Sequence, residues 1–191
     1  VPLLDDVAAC TVCAAHLPLG PRPVVRVSDP RARILIIGQA PGTKVHASGI
    51  PWDDASGHRL RNWLGVTPAQ FYDESLFAVM PMGFCYPGRS KAGDNPPRPE
   101  CAPLWHDRIR ATLPDIHLTL LIGAYAQNRY LGDQRKATLT DTVRSWRGYI
   151  NSGYLPLVHP SPRNQIWLKR NPWFEAEVAP YLKTAIATAL I

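Results

Sequence analysis

The sequence predicts a layered α/β domain built on a mostly parallel, four-stranded sheet. Two patterns carry that prediction. Four short apolar runs, at residues 34–37, 76–80, 118–122 and 154–158, are continuous rather than alternating, as in strands covered on both faces. Stretches with helical spacing lie between and after them, and strands that alternate with helices pair in parallel. With 191 residues, 46% of them apolar, the chain can bury a full core as one domain spanning residues 1–191.

Taken in order, the first strand runs into Gly38-Gln39-Ala40-Pro41-Gly42. Residues 56–64 place Leu60, Trp63 and Leu64 at helical spacing. The second strand, 76–80, gives way to a proline-rich stretch. A helix over 101–113 then carries Leu104, Trp105, Ile109 and Leu113 along one stripe. The third strand, 118–122, leads into a helix over 124–131. The fourth, 154–158, contains Pro156, which has no N–H to give a central ladder, so this strand belongs at an edge or breaks. A final helix over 173–190 sets Phe174, Val178, Tyr181, Leu182, Ala185 and Ala189 on one face. In open α/β sheets the site lies in loops beyond the carboxyl ends of the strands. Here those are residues 38–54, 81–100, 123 onward and 159–164.

Formal charge is +6, which favours a polyanionic partner because neutralised phosphates release counterions. A solvated basic surface would give the same number. No apolar run approaches the roughly 18 residues of a membrane span. The chain opens Val-Pro-Leu-Leu-Asp-Asp, without a basic segment ahead of an apolar one, so a cytoplasmic location and reduced thiols are expected. The four cysteines form a CxxC, Cys10 and Cys13, and a later pair, Cys85 and Cys101. Four thiolates in such a chain suit tetrahedral zinc or an iron–sulfur cluster. The spacing equally admits a redox CxxC beside two buried free cysteines.

Two strand ends carry motifs that are weak singly and specific together. One is Gly38-Gln39-Ala40-Pro41-Gly42; the other is His159-Pro160-Ser161-Pro162-Arg163-Asn164. At opposite ends of an α/β chain they resemble the two signature motifs of the uracil-DNA glycosylase superfamily. The stretch from Cys85-Tyr86-Pro87-Gly88 to Asp94-Asn95-Pro96-Pro97-Arg98-Pro99-Glu100-Cys101 is similar to the cysteine loop of its iron–sulfur bacterial and archaeal families, the fourth and fifth. Gly49-Ile50-Pro51-Trp52, followed by Gly57, is similar to their Gly-x-Pro-Phe segment. The resemblance implies a three-layer α/β/α fold and a monofunctional DNA-repair glycosylase of base excision repair. It also implies a structural 4Fe–4S cluster on Cys10, Cys13, Cys85 and Cys101, with no divalent metal required. The partner would be uracil-containing DNA, single- or double-stranded, and the protein a monomer in the bacterial cytosol or nucleoid.

Motif one departs from the family pattern. The fourth family has Glu where this chain has Gln39, and the best-known family has Asp at the position of Ala40. The fifth family instead uses an Asp shortly before a Ser-Gly pair, and Asp54-Ala55-Ser56-Gly57 fits that pattern. Pro81 stands about where the fourth family has an Asn that reads the uracil edge.

Breaking the glycosidic bond makes an oxocarbenium-like sugar and an anionic base. Asp54, with Asp53 second, is expected to orient a water and offset the cation. An Asp before Ser-Gly is also a good helix N-cap, a role Ser56 could fill instead. His159 is expected to donate to the base oxygen as it gains charge, and a strand-end His is often merely structural. A base in a duplex must flip out to be reached. Trp52 would stack on it, or else pack in the core. Gly38, Gln39, Ala40, Pro41 and Gly42 would line the pocket with backbone. Pro160-Ser161-Pro162-Arg163 would form a stiff wedge loop, with Arg163 filling the vacated space or holding a phosphate, and Ser161, Arg163 and Asn164 are the substrate-binding candidates of this segment. Lys44, Arg89, Lys91, Lys169 and Arg170 are candidates for phosphate contacts. Other readings are a glycosylase for deaminated purines or etheno bases, and a non-catalytic binder of uracil or abasic DNA. A covalently self-trapping variant and a metal-dependent regulator remain as well.

Overall fold

The computed structural model describes residues 2–191. Among them, β1 (Ile34–Ile37), β2 (Phe77–Val79), β3 (Arg89–Ser90), β4 (Gly93–Asp94), β5 (Leu118–Ile122) and β6 (Tyr154–Leu157) alternate with nine α-helices. These are α1 (Pro2–Ala8), α2 (Thr43–Ser48), α3 (Ala55–Leu64), α4 (Pro68–Phe71), α5 (Cys101–Arg110), α6 (Ala124–Leu131), α7 (Leu139–Arg144), α8 (Gln165–Arg170) and α9 (Ala179–Ala189). The main sheet has the order β2-β1-β5-β6, and every pairing in it is parallel. Ile36 lies between Val79 and Leu120, and Pro156 of the edge strand β6 pairs in register with Leu121. The proline is tolerated because β6 has only one neighbour to satisfy.

Alternate residues of β1 serve opposite cores. Ile34 and Ile36 pack with Leu60, Trp63, Phe174 and Leu182 from α3, the C-terminal segment and α9. Leu35 and Ile37 pack with Val7, Trp105, Ile109 and Ala126 from α1, α5 and α6. A sheet buried on both faces makes the three-layer α/β/α arrangement, and it explains why its strands read as unbroken apolar runs. Among the described residues, no helix is long and apolar enough to cross a membrane.

Three elements differ from the sequence expectation. The helix expected over 173–190 is divided: a widened π turn, Phe174–Val178, leads into α9. Pro180 has no N–H, and Ala179 reaches five residues back to the Phe174 carbonyl, so regular bonding is interrupted there. The helix expected over 101–113 closes at Arg110, where Thr112 and Leu113 fold back onto the Ile109 and Arg110 carbonyls. Within residues 81–100, read as loop, β3 and β4 form a small antiparallel hairpin.

Candidate active site

Beyond the carboxyl ends of the main strands lies a cleft of about 350 Å³, within the range of small-molecule sites (roughly 300–1,000 Å³). Gly38, Gln39, Ala40, Pro41 and Gly42, leaving β1, form one side. Trp52, Asp54 and Ser56 enter from the segment that starts α3, and Pro81 from the exit of β2. His159, Ser161 and Arg163 close it from the exit of β6. The loop that begins at Gly123 contributes nothing to this lining.

His159 ends the edge strand, and its ring is fixed by backbone. The Ser161 N–H donates to Nδ1 (3.1 Å), so the proton of the neutral ring must sit on Nε2. Asn164 Nδ2 donates to the His159 carbonyl (2.8 Å), holding the strand end in place. Burial pushes the imidazole below its ordinary value, against the opposing pull of Asp54 and Asp94. At neutral pH the group is an uncharged Nε2–H donor on a rigid mount. Asn164 therefore acts behind His159, and it borders an adjoining recess rather than the main cleft.

Asp54 is both things its sequence context allowed. Its side chain caps α3, with Oδ1 accepting from the Gly57 N–H at 2.8 Å, and it also lines the cleft. Ser56 does not cap; it is buried inside the first turn. The cap uses one carboxylate oxygen and leaves Oδ2 for a water. Asp53 is exposed and borders no part of the cleft, because extended backbone at Asp54 turns neighbouring side chains to opposite sides. The structure thus separates the two carboxylates that the sequence left side by side.

Trp52 holds the only positive φ outside glycine among the described residues, +60°. A bulky residue there is strained, and strain persists where surroundings over-determine it. Arg61 donates to its carbonyl (3.2 Å), and the Tyr72 hydroxyl donates to the Pro51 carbonyl (3.0 Å). A Cβ on Gly57 would fall 1.7 Å from the Trp52 oxygen, and one on Gly38 would fall 2.9 Å from the indole. Both glycines are required by the tryptophan. Its ring lies 5.6 Å from the His159 ring, centroid to centroid, at 34°. It is half-buried against the core and still lines the cleft, so packing and site wall are one role.

The β3–β4 hairpin brings residues that sequence reasoning missed or left unplaced. Asp94 lines the cleft and faces His159 closely enough to act on its charge. Arg89 lines the same wall, and an Arg163 Nη1 lies 2.9 Å from where a Gly93 Cβ would be. Asp94 opens the motif stretch that ends at Cys101, but nothing in the local sequence assigns it to the cleft; a two-residue hairpin inside a proline-rich stretch has too little periodicity to detect. Of the proposed phosphate contacts, Lys44 and Arg89 border the cleft, whereas Lys91, Lys169 and Arg170 are exposed away from it. His46, in the segment that follows the first motif, lies beside Tyr86 with ring centroids 6.1 Å apart and does not line the cleft.

All four cysteines border one second, largely apolar pocket. Cys13, Cys85 and Cys101 are buried and Cys10 partly so. Burial pushes the Cys85 thiol up to about 11 and Cys101 to about 12, each raised further by the other thiols. The Phe84 N–H donates to Cys101 Sγ (3.3 Å), and the buried Trp105 Nε1–H, at the same pocket, has no protein partner. Among the described residues, no three or more His, Cys, Asp or Glu side chains converge on a single-ion site. Four thiols around one pocket are a donor set that fits a thiolate-bound metal ion or cluster in kind.

A parallel sheet covered on both faces, with an imidazole and a carboxylate in a cleft beyond its strand ends, is a three-layer α/β/α domain with one candidate active site. The family model of the Uracil DNA glycosylase superfamily matches residues 25–183, and the chain belongs to that superfamily. Membership points to DNA glycosylase activity and hence to DNA as the partner. The matched span contains both cleft motifs, Cys85 and Cys101, and begins after Cys10 and Cys13.

Proposed function

We propose that the protein excises uracil from DNA as a monofunctional glycosylase and leaves an abasic site. The observation that carries this reading is the pairing of a tautomer-locked His159 with Asp54 across one cleft. The flipped base enters beside Trp52, whose ring offers a stacking surface; such stacking contributes about 1–3 kcal/mol. As the C1′–N1 bond breaks, its electron pair passes to the base. The Nε2–H of His159 donates to the base oxygen that gains the charge, and a donor placed in this way is worth roughly 3–4 kcal/mol. A water held by Asp54 adds to C1′ and gives its proton to the carboxylate. Asp94 adds negative charge on the same side as His159 and further favours a cationic sugar. Arg163 and Arg89 stand at the rim, where a phosphate backbone would pass.

The base edge would be read by Gln39, whose Nε2 is only loosely held by the Asn95 carbonyl at 3.4 Å. Hypoxanthine, xanthine or etheno bases form the second reading. It is favoured by Pro81, which has no N–H to offer where a polar edge-reader would stand.

The four cysteines would hold a structural 4Fe–4S cluster, supported by their sharing one pocket. The group would supply a cross-link between the N-terminal segment and residues 85–101, and no redox step of the hydrolysis requires it. Iron and sulfide analysis of the purified protein tests this directly. A colourless protein with free thiols would leave the pocket as packed cysteines.

The deciding experiment incubates the protein with a labelled single-uracil oligonucleotide in EDTA, with and without later alkali. Strand cleavage only after alkali is the expected result. No cleavage, with hypoxanthine and xanthine oligonucleotides cut, transfers the reading to purine lesions. No cleavage of any substrate, with retained affinity for abasic DNA, transfers it to a binder.

A further inference from the structure

His106 is fully buried in α5, away from the cleft, yet it grips the cleft floor. Its Nε2 lies 3.0 Å from the Pro81 carbonyl, and its Nδ1 lies 2.7 Å from the Tyr130 hydroxyl. A carbonyl can only accept, so Nε2 carries the proton, and Nδ1 accepts from Tyr130. Phe84 stacks on the ring at 5.7 Å and 14°, which fixes its plane. The turn that leaves β2 has two backbone ties to the first motif. Met82 N–H donates to Gly38 O (2.9 Å), and Gly83 N–H donates to Gln39 O (3.0 Å). The remaining group, the Pro81 carbonyl, is tied by His106 alone. Pro81 lines the cleft and has no N–H, and its C=O is occupied by His106.

We propose that His106, oriented by Tyr130, is a positioning residue for base excision: it holds the Pro81 turn, and through it the Gly38–Gln39 wall, at the register the base requires. Without its N–H the buried carbonyl loses its partner and seeks another, and the nearest polar opening is the cleft. The wall then moves while the core helices stay packed. Misplacement of a site wall by about 1 Å is worth as much as 100-fold in rate.

The test compares His106→Leu, His106→Gln and Tyr130→Phe in single-turnover excision of uracil. His106→Leu keeps volume and removes the donor; its maximal rate should fall about 10- to 100-fold, with a smaller change in DNA affinity. His106→Gln can return an N–H to the Pro81 carbonyl and should regain most of that loss. Tyr130→Phe, at a half-buried position, covers the case in which His106→Leu fails to fold. It should slow excision several-fold, and ¹⁵N spectra should show the His106 Nδ1 resonance shifting as that nitrogen loses its donor, with the proton still on Nε2. A folded His106→Leu with wild-type rate, or a His106→Gln no better than His106→Leu, overturns the positioning role. If His106→Leu is unfolded, an unchanged Tyr130→Phe rate and spectrum overturns it. The inference rests on the glycosylase reading, and the two fail differently. An inactive wild-type chain overturns both, whereas an active one with indifferent variants overturns the positioning alone.

Discussion

At the scale of single residues, Asp54 joins two roles that a substitution can separate. Asn is as good an N-cap as Asp, so Asp54→Asn should leave the melting temperature within a degree or two while excision falls 100-fold or more. Asp54→Ala should lose the rate and also about 1 kcal/mol of stability, since the Gly57 N–H then has no acceptor. A melting curve beside single-turnover kinetics distinguishes the two; equal rates for Asp54→Asn and the wild type would remove Asp54 from the chemistry. Asp53→Asn should be indifferent in both assays, because its side chain is exposed and outside the cleft. His159→Gln should cost roughly 100- to 1,000-fold in rate at neutral pH and above, as loss of an anion-stabilising donor does. That flat deficit follows from burial, which keeps His159 neutral: the wild type has no imidazolium to titrate away near neutrality.

At the scale of elements, the segment from Gly49 to α3 is a strained wall fastened at several points. Gly57→Ala would drive a Cβ to 1.7 Å from the Trp52 oxygen, so the tryptophan must leave its +60° conformation. We expect a stability loss of more than 2 kcal/mol and loss of base stacking together, seen as a lower urea midpoint and weakened single-turnover binding. An unchanged midpoint would mean that the wall gives way without cost. This segment also marks the limit of what the sequence makes legible. The four strands and the helices that cover them could be read because two-sided burial writes continuous apolar runs, as at Ile34-Leu35-Ile36-Ile37. His159 and the first motif could be placed because they follow such runs directly. Asp94 and the His106–Tyr130 pair could not. Each is brought to the site by a contact between residues far apart in the chain, His106 to Pro81 across 25 positions and to Tyr130 across 24. A lone buried His inside an amphipathic helix looks like any core residue until its partners are known. Pro180 was visible, but its effect, a widened turn ahead of α9, depends on packing against the core that sequence periodicity does not record.

At the scale of the whole molecule, the neutral histidines, His106 fully buried and His159 half-buried at the cleft, make folding sensitive to mild acid. Burial lowers His106 to about 4 from an ordinary 6.5, and it lowers His159 in the same direction. In the unfolded chain these rings accept protons as pH falls through about 6.5. The folded state refuses a proton at His106 until about pH 4, so between those values the unfolded state binds more protons and stability falls as pH falls. The stabilisation is fully present above pH 6.5 and is lost by pH 4, and for His106 it is on the order of 3 kcal/mol. That is a large share of the roughly 5–15 kcal/mol that holds a domain folded. Asp29, held low by Arg31, and Asp73, held low by Ser75, lose their contribution only at lower pH, whereas Glu100, held low by Arg98, begins to lose its own near the acid end of this window in both proteins alike. Urea midpoints measured at pH 7.5, 5.5 and 4.5 should drop steeply for the wild type. His106→Gln, which has nothing to protonate, should begin lower at pH 7.5 and decline less over the same interval. Parallel curves for the two proteins would show that His106 accepts its proton in the folded state, and with it that the Nδ1 and Nε2 hydrogen bonds to Tyr130 and Pro81 are not held in solution.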